Sequence, residues 1–277
     1  MSPSAVEVAL GRLFIVFEQA FELALRDEGP QVYERLFDPG ARLRGRHDRL
    51  GIEAVRDALD LLVLRKGKPE RIDAVFTKSY RQRSWGGEES RSGKGSDTEH
   101  TSSIRGHLPA PLRELDVRIF LDAPCGDFNW MKQIDLGRTK YIGVAIVPEM
   151  IAEDIRKYRD DSREFRILDL TKGPVPLADL ILCRDCLVHL SFRDSFAAIR
   201  NFKSSGSEYL LTTTFPGVPR NEDGPTGGWR PLNLELPPFL FPEPIRTIRE
   251  DDIEQRFVGL RRSLGLWRLR DLALPKG

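Results

Sequence analysis

Hydrophobic positions follow a helical spacing in the first part of the chain. Over residues 5–26 apolar side chains recur every three or four positions, which predicts an amphipathic helix. The apolar stripe extends around this helix, so we expect burial on more than one side, in a subdomain or in a homodimer contact. A second helix is predicted over residues 52–65, with glycine and proline following as stop signals. We therefore predict a helical N-terminal subdomain over residues 1–75.

From residue 117 onward, short apolar runs alternate with helical stretches. Pro148 is placed to open one helix, and Ser191 with Asp194 forms a capping-box pattern before another. Apolar strands that alternate with helices are typical of a parallel sheet covered on both faces. We predict a doubly wound α/β domain over residues 116–277, with strands at residues 117–123, 141–147, 165–168, 178–183, 209–215 and 263–272 and helices at residues 128–134, 148–158 and 192–202.

Two segments show neither the helical spacing of apolar residues nor the short apolar runs of strands. Residues 84–103, inside a connecting segment predicted over residues 76–115, have the Gly, Ser, Glu and Lys composition of a disordered linker. Trp85 and four spaced glycines are equally expected in a backbone-rich loop that closes over a cofactor, and both interpretations stay open. Residues 216–244 are too rich in proline for a strand and too long for an ordinary connection, so we predict a lid loop.

Composition and charge narrow the class of protein. The formal net charge is +1, so the overall charge does not predict a nucleic-acid partner. Two arginine clusters, within residues 42–49 and 261–270, are interpreted as solvated surface. The apolar stretches are far too short to cross a membrane, and no signal peptide is recognisable. Since three cysteines argue against a disulfide framework, we expect a reduced, cytoplasmic protein.

The stretch LDAPCGDFNWM, residues 121–131, follows the first predicted strand. Ligands of open α/β sheets bind beyond the carboxyl ends of the strands. Gly126 allows the backbone to approach a ligand closely, and backbone N–H groups and a helix N-terminus at such a turn can face an anionic group. Asp127 would repel a phosphate, which weighs against a dinucleotide and favours a sulfonium nucleoside. The Gly-x-Gly-x-x-Gly turn of nicotinamide oxidoreductases is absent.

Four blocks of the chain carry a family resemblance: FLDAPCGDFNWM, YIGVAIVPEMI, FRILDLTKGPVPLADLILCRDCLVHLSF and YLLTTTF. In order and spacing they resemble the class I S-adenosylmethionine-dependent methyltransferases over residues 115–215, and they look closest to a bacterial subfamily with an Asp-x-Pro-Cys-Gly-Asp first motif. The flanking blocks WGGEESRSGKGS and TGGWRPLNLELPPF resemble the same subfamily. The resemblance implies a seven-stranded, mostly parallel, Rossmann-like sheet and S-adenosylmethionine as cofactor.

The same resemblance implies roles for individual residues. The implied cofactor-binding residues at the first turn are Asp122, Ala123, Pro124, Gly126 and Trp130, of which Asp122 and Gly126 flank the methionine part. At the second strand they are Ala145 and Ile146, and near the adenine they are Asp169 and Leu170. Arg184 is the last of them, and together with Asp185 it forms the floor under the cofactor and faces the acceptor.

Ala145 departs from the family pattern, which at the end of the second strand normally has an acid that binds the ribose hydroxyls. Losing a charge-assisted hydrogen bond of this kind costs about 1.5–3 kcal/mol. Ala145 therefore predicts weaker cofactor binding or a replacement contact elsewhere. It also keeps a second function open, a catalytically impaired or non-catalytic binding module with the methyltransferase fold.

For the chemistry, a sulfonium is already an activated methyl donor, so the enzyme mainly has to align the acceptor. A hydroxyl acceptor also needs a base. His189 and Asp185 are the candidates, because both follow the fourth predicted strand and an unperturbed imidazole has a pKa of ~6.5. The alternative for His189 is a packed side chain with both nitrogens satisfied.

The lid supplies candidate acceptor-binding residues, Trp229, Arg230 and Asn233. A tryptophan beside polar side chains suits a sugar, although Trp229 could equally anchor the lid. We predict O-methylation of a small, carbohydrate-like acceptor. No zinc site is predicted from Cys183, Cys186 and His189, since a second pair of ligands is missing. Magnesium held by Asp185 is an option that the sequence alone does not support.

Overall fold

The computed structural model describes residues 71–250 and 259–274. The two helices predicted within residues 1–70, and the homodimer contact expected through the first of them, lie outside the described residues. Helix α1, Ile72–Gln82, runs across the boundary predicted between residues 75 and 76. The predicted division into domains stays a prediction.

Seven strands form one sheet in the order β3-β2-β1-β4-β5-β7-β6. The first five strands pair in parallel, whereas β7 runs antiparallel to both of its neighbours. The predicted doubly wound, mostly parallel, seven-stranded sheet is therefore confirmed. The strands are β1 Ile119–Asp122, β2 Lys140–Ala145, β3 Arg163–Ile167, β4 Leu180–Cys183, β5 Tyr209–Thr214, β6 Arg246–Arg249 and β7 Ser263–Arg268.

Five helices accompany the sheet in the described residues: α1, α2 Ser102–His107, α3 Pro109–Glu114, α4 Pro148–Tyr158 and α5 Phe192–Ser204. Helix α4 begins with Pro148 in its first turn, as predicted. Helix α5 begins after Ser191, whose hydroxyl accepts the backbone N–H of Asp194 at 3.2 Å. Helices α2 and α3 were not predicted, since they lie in the segment interpreted as a connection.

The helix predicted over residues 128–134 is wrong. Only a single 3₁₀ turn, Met131–Gln133, forms there, and Phe128 has a φ of +56°, in the left-handed region. The apolar spacing of this stretch reflects burial without a helix. The Phe128 ring packs at 4.9 Å from the ring of Tyr141 and at 5.2 Å from that of Phe165.

The core has two parts, one on each face of the sheet. Successive residues of a strand point to opposite faces. Accordingly, Leu121, Ile181 and Leu210 belong to one cluster of buried side chains, whereas Phe120 and Leu182 belong to the other. The lid contributes its own buried residues, Leu232, Leu234, Phe239 and Phe241, to the first cluster. The lid of residues 216–244 is therefore packed against the domain along much of its length.

Among the helices that the structure describes, none combines the length and apolar character that a membrane span requires.

Candidate functional site

A cavity of about 330 Å³ lies where β1, β2 and β4 reach their carboxyl ends, at the edge where ligands of open α/β sheets bind. Its volume falls within the range of small-molecule sites, about 300–1,000 Å³. The walls come from α1, residues 84–96, the turn after β1, the ends of β2 and β4, residues 168–171 and the lid. One cavity therefore collects the motifs that are spread along the sequence.

Most of the predicted cofactor-binding residues line this cavity: Asp122, Pro124, Gly126, Trp130, Ala145, Ile146, Asp169, Leu170 and Arg184. Ala123 does not, because its side chain is fully buried in the core beneath the turn. Both predicted bases, His189 and Asp185, face the same cavity, as does Trp229 of the lid.

Asp127 does not have the role predicted for it, which was to repel a phosphate at the turn. Its carboxylate accepts hydrogen bonds from the Ser90 hydroxyl at 2.9 Å, the Arg91 backbone N–H at 2.7 Å and the Ser92 hydroxyl at 3.2 Å. Asp127 therefore fastens residues 90–92 to the turn and does not line the cavity. Since no α-helix follows the turn after β1, no helix N-terminus faces the cavity from this turn, contrary to the prediction.

Residues 84–103 fold over the turn and do not form a disordered linker. A Cβ at Gly126, where φ is +60°, would lie 2.4 Å from the Ser92 hydroxyl, so only glycine allows this close approach. Trp85 and the stretch from Ser92 to Ser96 line the cavity. The interpretation as a loop that closes over a ligand matches this placement.

Asp122 is the acid at the centre of the site. It is 2% exposed and accepts a hydrogen bond from the Tyr141 hydroxyl at 2.8 Å. Burial raises the pKa of Asp122 to about 7, although the Tyr141 hydrogen bond and the charge of Arg184 act in the opposite direction. A cationic ligand beside this carboxyl would favour its ionised form.

Ala145 ends β2 inside the cavity, where the expected acid is missing. A different carboxylate approaches from the neighbouring strand, because Asp169 follows β3 by two residues and lines the same cavity. Burial raises the pKa of Asp169, but hydrogen bonds from Lys172 and Thr171 outweigh it, so the pKa is lowered overall. Asp169 is therefore a charged acceptor on this side of the site.

Four charged residues form an ionic cluster at the cavity wall, and three of them, Arg184, Asp185 and Arg262, line the cavity. Arg184 donates to Glu250 at 2.7 Å and to the Gly95 carbonyl at 2.9 Å, and its guanidinium lies 5.5 Å from the centre of the Trp130 ring. Arg262 pairs with Asp185 and lies 3.5 Å from Glu250. The interpretation of Arg262 as solvated surface is wrong, since its side chain is only 5% exposed.

The two candidate bases have different surroundings. Burial raises the pKa of Asp185, but the charges of Arg262 and Arg184 outweigh it and lower the pKa, so Asp185 is a weak base. His189 has its Nδ1 atom 2.7 Å from the carbonyl oxygen of Gly228. In the neutral ring, donation from Nδ1 places the lone pair on Nε2, the arrangement that a base requires.

The two polar residues predicted to bind the acceptor do not line the cavity. Arg230 donates to the carbonyls of Glu222 and Leu190, and the buried Asn233 donates to that of Val218. Both side chains therefore hold the lid together. Trp229 alone of the three predicted acceptor-binding residues lines the cavity, where its ring lies at 89° to that of Phe215.

Several lining residues were missed by the sequence analysis: Phe76, Met150, Thr171, Cys186, Phe215 and Arg262. Phe215 and Met150 stand in segments that were predicted correctly, but the pattern does not show which apolar residue faces a ligand. Arg262 has no local signal, because its partner Asp185 lies 77 positions away.

The described residues contain no cluster of three or more His, Cys, Asp or Glu side chains that could hold a metal ion. Cys183 and Cys186 are buried free cysteines. Asp185, the acid considered for magnesium, is paired with arginine.

The fold is similar to that of solved methyltransferases. The N-methyltransferase NodS from Bradyrhizobium japonicum WM9, solved with S-adenosyl-L-homocysteine, has a TM-score of 0.52 and 14% identity, covering 69% of this chain and 97% of NodS. The magnesium protoporphyrin IX methyltransferase ChlM from Synechocystis PCC 6803 has a TM-score of 0.41 and 16% identity, covering 53% of this chain and 73% of ChlM. No protein-family model and no curated protein matches the chain. The likeness to NodS shows the Rossmann-like methyltransferase fold.

Proposed function

We propose that this protein is an S-adenosylmethionine-dependent methyltransferase that methylates a hydroxyl group of a small acceptor. The observation that carries the proposal is the single cavity that joins the turn after β1, the ends of β2 and β4, and the base candidate His189. A cofactor along the turn and the strand ends would leave the part beside His189 and Trp229 for the acceptor.

The residues of the turn would hold the methionine part of the cofactor. Asp122 supplies a carboxyl that becomes ionised beside a cationic group, and residues 92–96 cover the turn from outside. The Arg184 guanidinium, held by Glu250, forms a rigid floor. These residues position the cofactor, and the sulfonium supplies the activated methyl group.

The reaction needs alignment and proton removal. His189 is placed to accept the proton of the acceptor hydroxyl at Nε2, because its Nδ1 is engaged by the Gly228 carbonyl. The hydroxyl oxygen then forms a bond to the methyl carbon while the carbon–sulfur bond breaks and its electron pair goes to sulfur. Of the three lid residues from which a carbohydrate-like acceptor was predicted, Trp229 alone offers a stacking surface in the cavity.

Calorimetric titration with S-adenosylmethionine and S-adenosylhomocysteine tests the function. We expect both to bind to the unaltered chain, and we expect Ala145→Asp to bind them about 10-fold to 100-fold more tightly, as the missing charge-assisted hydrogen bond is restored. Ile167→Asp is the matched control, since it adds an acid at the β3 position paired with Ala145 but outside the cavity.

The outcomes separate the two functions considered. Absence of binding by both the unaltered chain and Ala145→Asp would contradict a methyltransferase. Binding only after Ala145→Asp would support the alternative, a module that keeps the fold and lacks activity. Equal, tight binding by both would show that other groups, such as Asp169, hold the ribose.

A further inference from the structure

Two aromatic pairs line the cavity. Phe76 of α1 stacks on Trp85 with 6.3 Å between ring centres, and both line the cavity. Phe215, just after β5, packs edge-on against Trp229 of the lid, with ring centres 6.1 Å apart. Aromatic walls of this kind favour a flat ring, which gains both apolar burial and ring–ring contact.

Helix α1, which carries Phe76, and the lid, which carries Trp229, touch each other. A Cβ at Gly227, where φ is +97°, would lie 2.4 Å from Cγ1 of Val75, so the lid backbone lies directly against α1. The next residue of α1 is Phe76, and Trp229 follows Gly227 by two positions. One ring of each pair, Phe76 and Trp229, therefore belongs to one of two elements that meet at the cavity.

Several polar side chains of the cavity and the lid are engaged with other protein groups. Asp185 pairs with Arg262, and the Thr171 hydroxyl donates to Asp169 at 2.7 Å. Arg230 and Asn233, the groups expected to bind a sugar, hold the lid instead. A sugar in this cavity would therefore have to make its hydrogen bonds without Arg230 and Asn233.

Proton transfer gives a second, independent argument. A phenol has a pKa of ~10, whereas an aliphatic hydroxyl is closer to water at ~15.7. An ordinary imidazole, with a pKa of ~6.5, can remove the phenol proton far more readily. The proton that His189 would remove is therefore far more acidic in a phenol than in an aliphatic hydroxyl, and Asp185 is made a weaker base by its arginine partners.

We infer that the acceptor is an aromatic hydroxyl compound, whose ring lies between the Phe76–Trp85 and Phe215–Trp229 pairs. This inference rests on the proposed function and specifies its substrate class. His189 takes the phenol proton, the phenolate oxygen bonds to the methyl carbon, and the sulfonium leaves as the neutral thioether. The products are an aryl methyl ether, S-adenosylhomocysteine and one proton.

The test compares catechol and 2-naphthol with methyl glucopyranoside and N-acetylglucosamine on the full chain. Binding is measured in the presence of S-adenosylhomocysteine by calorimetry, and methylated product is measured with S-adenosylmethionine by mass spectrometry. We expect at least one phenol to bind and to be methylated, and neither sugar to react. If the cofactor binds but neither phenol binds or reacts, or if a sugar reacts more readily, the inference is overturned while the proposed function stands.

Variants of Trp229 test whether the ring of the acceptor lies beside this side chain. We expect Trp229→Ala to lower kcat/KM for the phenol by about 10-fold, since an aromatic contact and its buried area are lost. Trp229→Phe should recover most of this loss, and the exposed Leu177→Ala, outside the cavity, should behave as the unaltered chain. Unchanged kcat/KM in Trp229→Ala would overturn the placement of the ring. Cofactor affinity of each variant, measured in parallel, distinguishes this result from loss of the cofactor site.

Discussion

At the scale of single residues, His189 carries the proposed chemistry because the lid fixes its ring. Besides the contact at Nδ1, the backbone carbonyl of His189 accepts the N–H of Gly227 at 2.8 Å. Backbone and ring are thus held by adjacent lid residues, and the tautomer with a basic Nε2 follows from the carbonyl of Gly228. Asp185 faces the same cavity, but its negative charge is paired with the guanidinium groups of Arg184 and Arg262.

We therefore expect His189→Ala to reduce kcat by on the order of 100-fold or more, the usual contribution of a general base. The affinity for S-adenosylmethionine should stay unchanged, since the base contacts the acceptor and not the cofactor. Steady-state kinetics and calorimetry on the same preparation measure the two quantities. His107→Ala, an exposed histidine on α2, is the control. Full activity of His189→Ala would remove the residue from the mechanism.

At the scale of elements, helix α4 buries an acid whose charge a nearby cation offsets only in part. Asp154 is 2% exposed, and its Oδ2 has no hydrogen-bond partner. Burial, followed by the nearby charges of Asp127 and Glu153, raises the pKa of Asp154 to about 8, which Lys157 only partly offsets.

This acid predicts a pH dependence of stability. The folded state keeps the Asp154 proton up to about pH 8, whereas the unfolded chain loses it near pH 3.8. Because the folded state binds more protons in this window, the free energy of unfolding falls as pH rises from about 4 to about 8. Asp154→Asn should remove this part of the slope, and the exposed Asp161→Asn should not. Urea unfolding from pH 5 to pH 9 measures it, and parallel slopes for Asp154→Asn and the unaltered chain would contradict the prediction.

At the scale of the whole molecule, one ionic cluster joins the middle of the sheet, at β4, to its β7–β6 edge. Glu250, just after β6, binds Arg184 from the end of β4 and lies close to Arg262, which precedes β7. All three side chains are almost fully buried. Through the Gly95 carbonyl, the same cluster also contacts the segment over the turn. The antiparallel strands β6 and β7 therefore support a site that is built mainly by β1, β2 and β4.

Removing Glu250 should be costly, because two buried arginines would lose their shared carboxylate. We expect Glu250→Ala to lower the free energy of unfolding by about 3–5 kcal/mol. The exposed Glu243→Ala, on the approach to β6, should change it little. Urea unfolding at neutral pH compares the two variants. A loss in Glu250→Ala no larger than that of Glu243→Ala would show that the cluster does not stabilise the fold.

The sequence predicts an element of the fold correctly where the residues that determine this element lie close together along the chain. Helix α4 follows from Pro148 and α5 from Ser191, because caps and apolar spacing act within one turn. The fully buried strands β4 and β5 follow from their apolar and β-branched runs. The stretch after β1 was predicted wrongly, since a buried turn with Phe128 in the left-handed region has the same apolar content as a helix.

The sequence by itself determined the order of strands β1 to β5 and of helices α4 and α5, and through it the edge of the sheet where the cavity lies. Only the tertiary structure decided which polar side chains face that cavity. Arg262 and Asp185 meet across 77 positions, and Arg230 and Asn233 turn to lid carbonyls instead of the acceptor. The physical reason is that periodicity is a property of neighbouring residues. The partner that satisfies a buried charge or amide comes from wherever the folded chain places it.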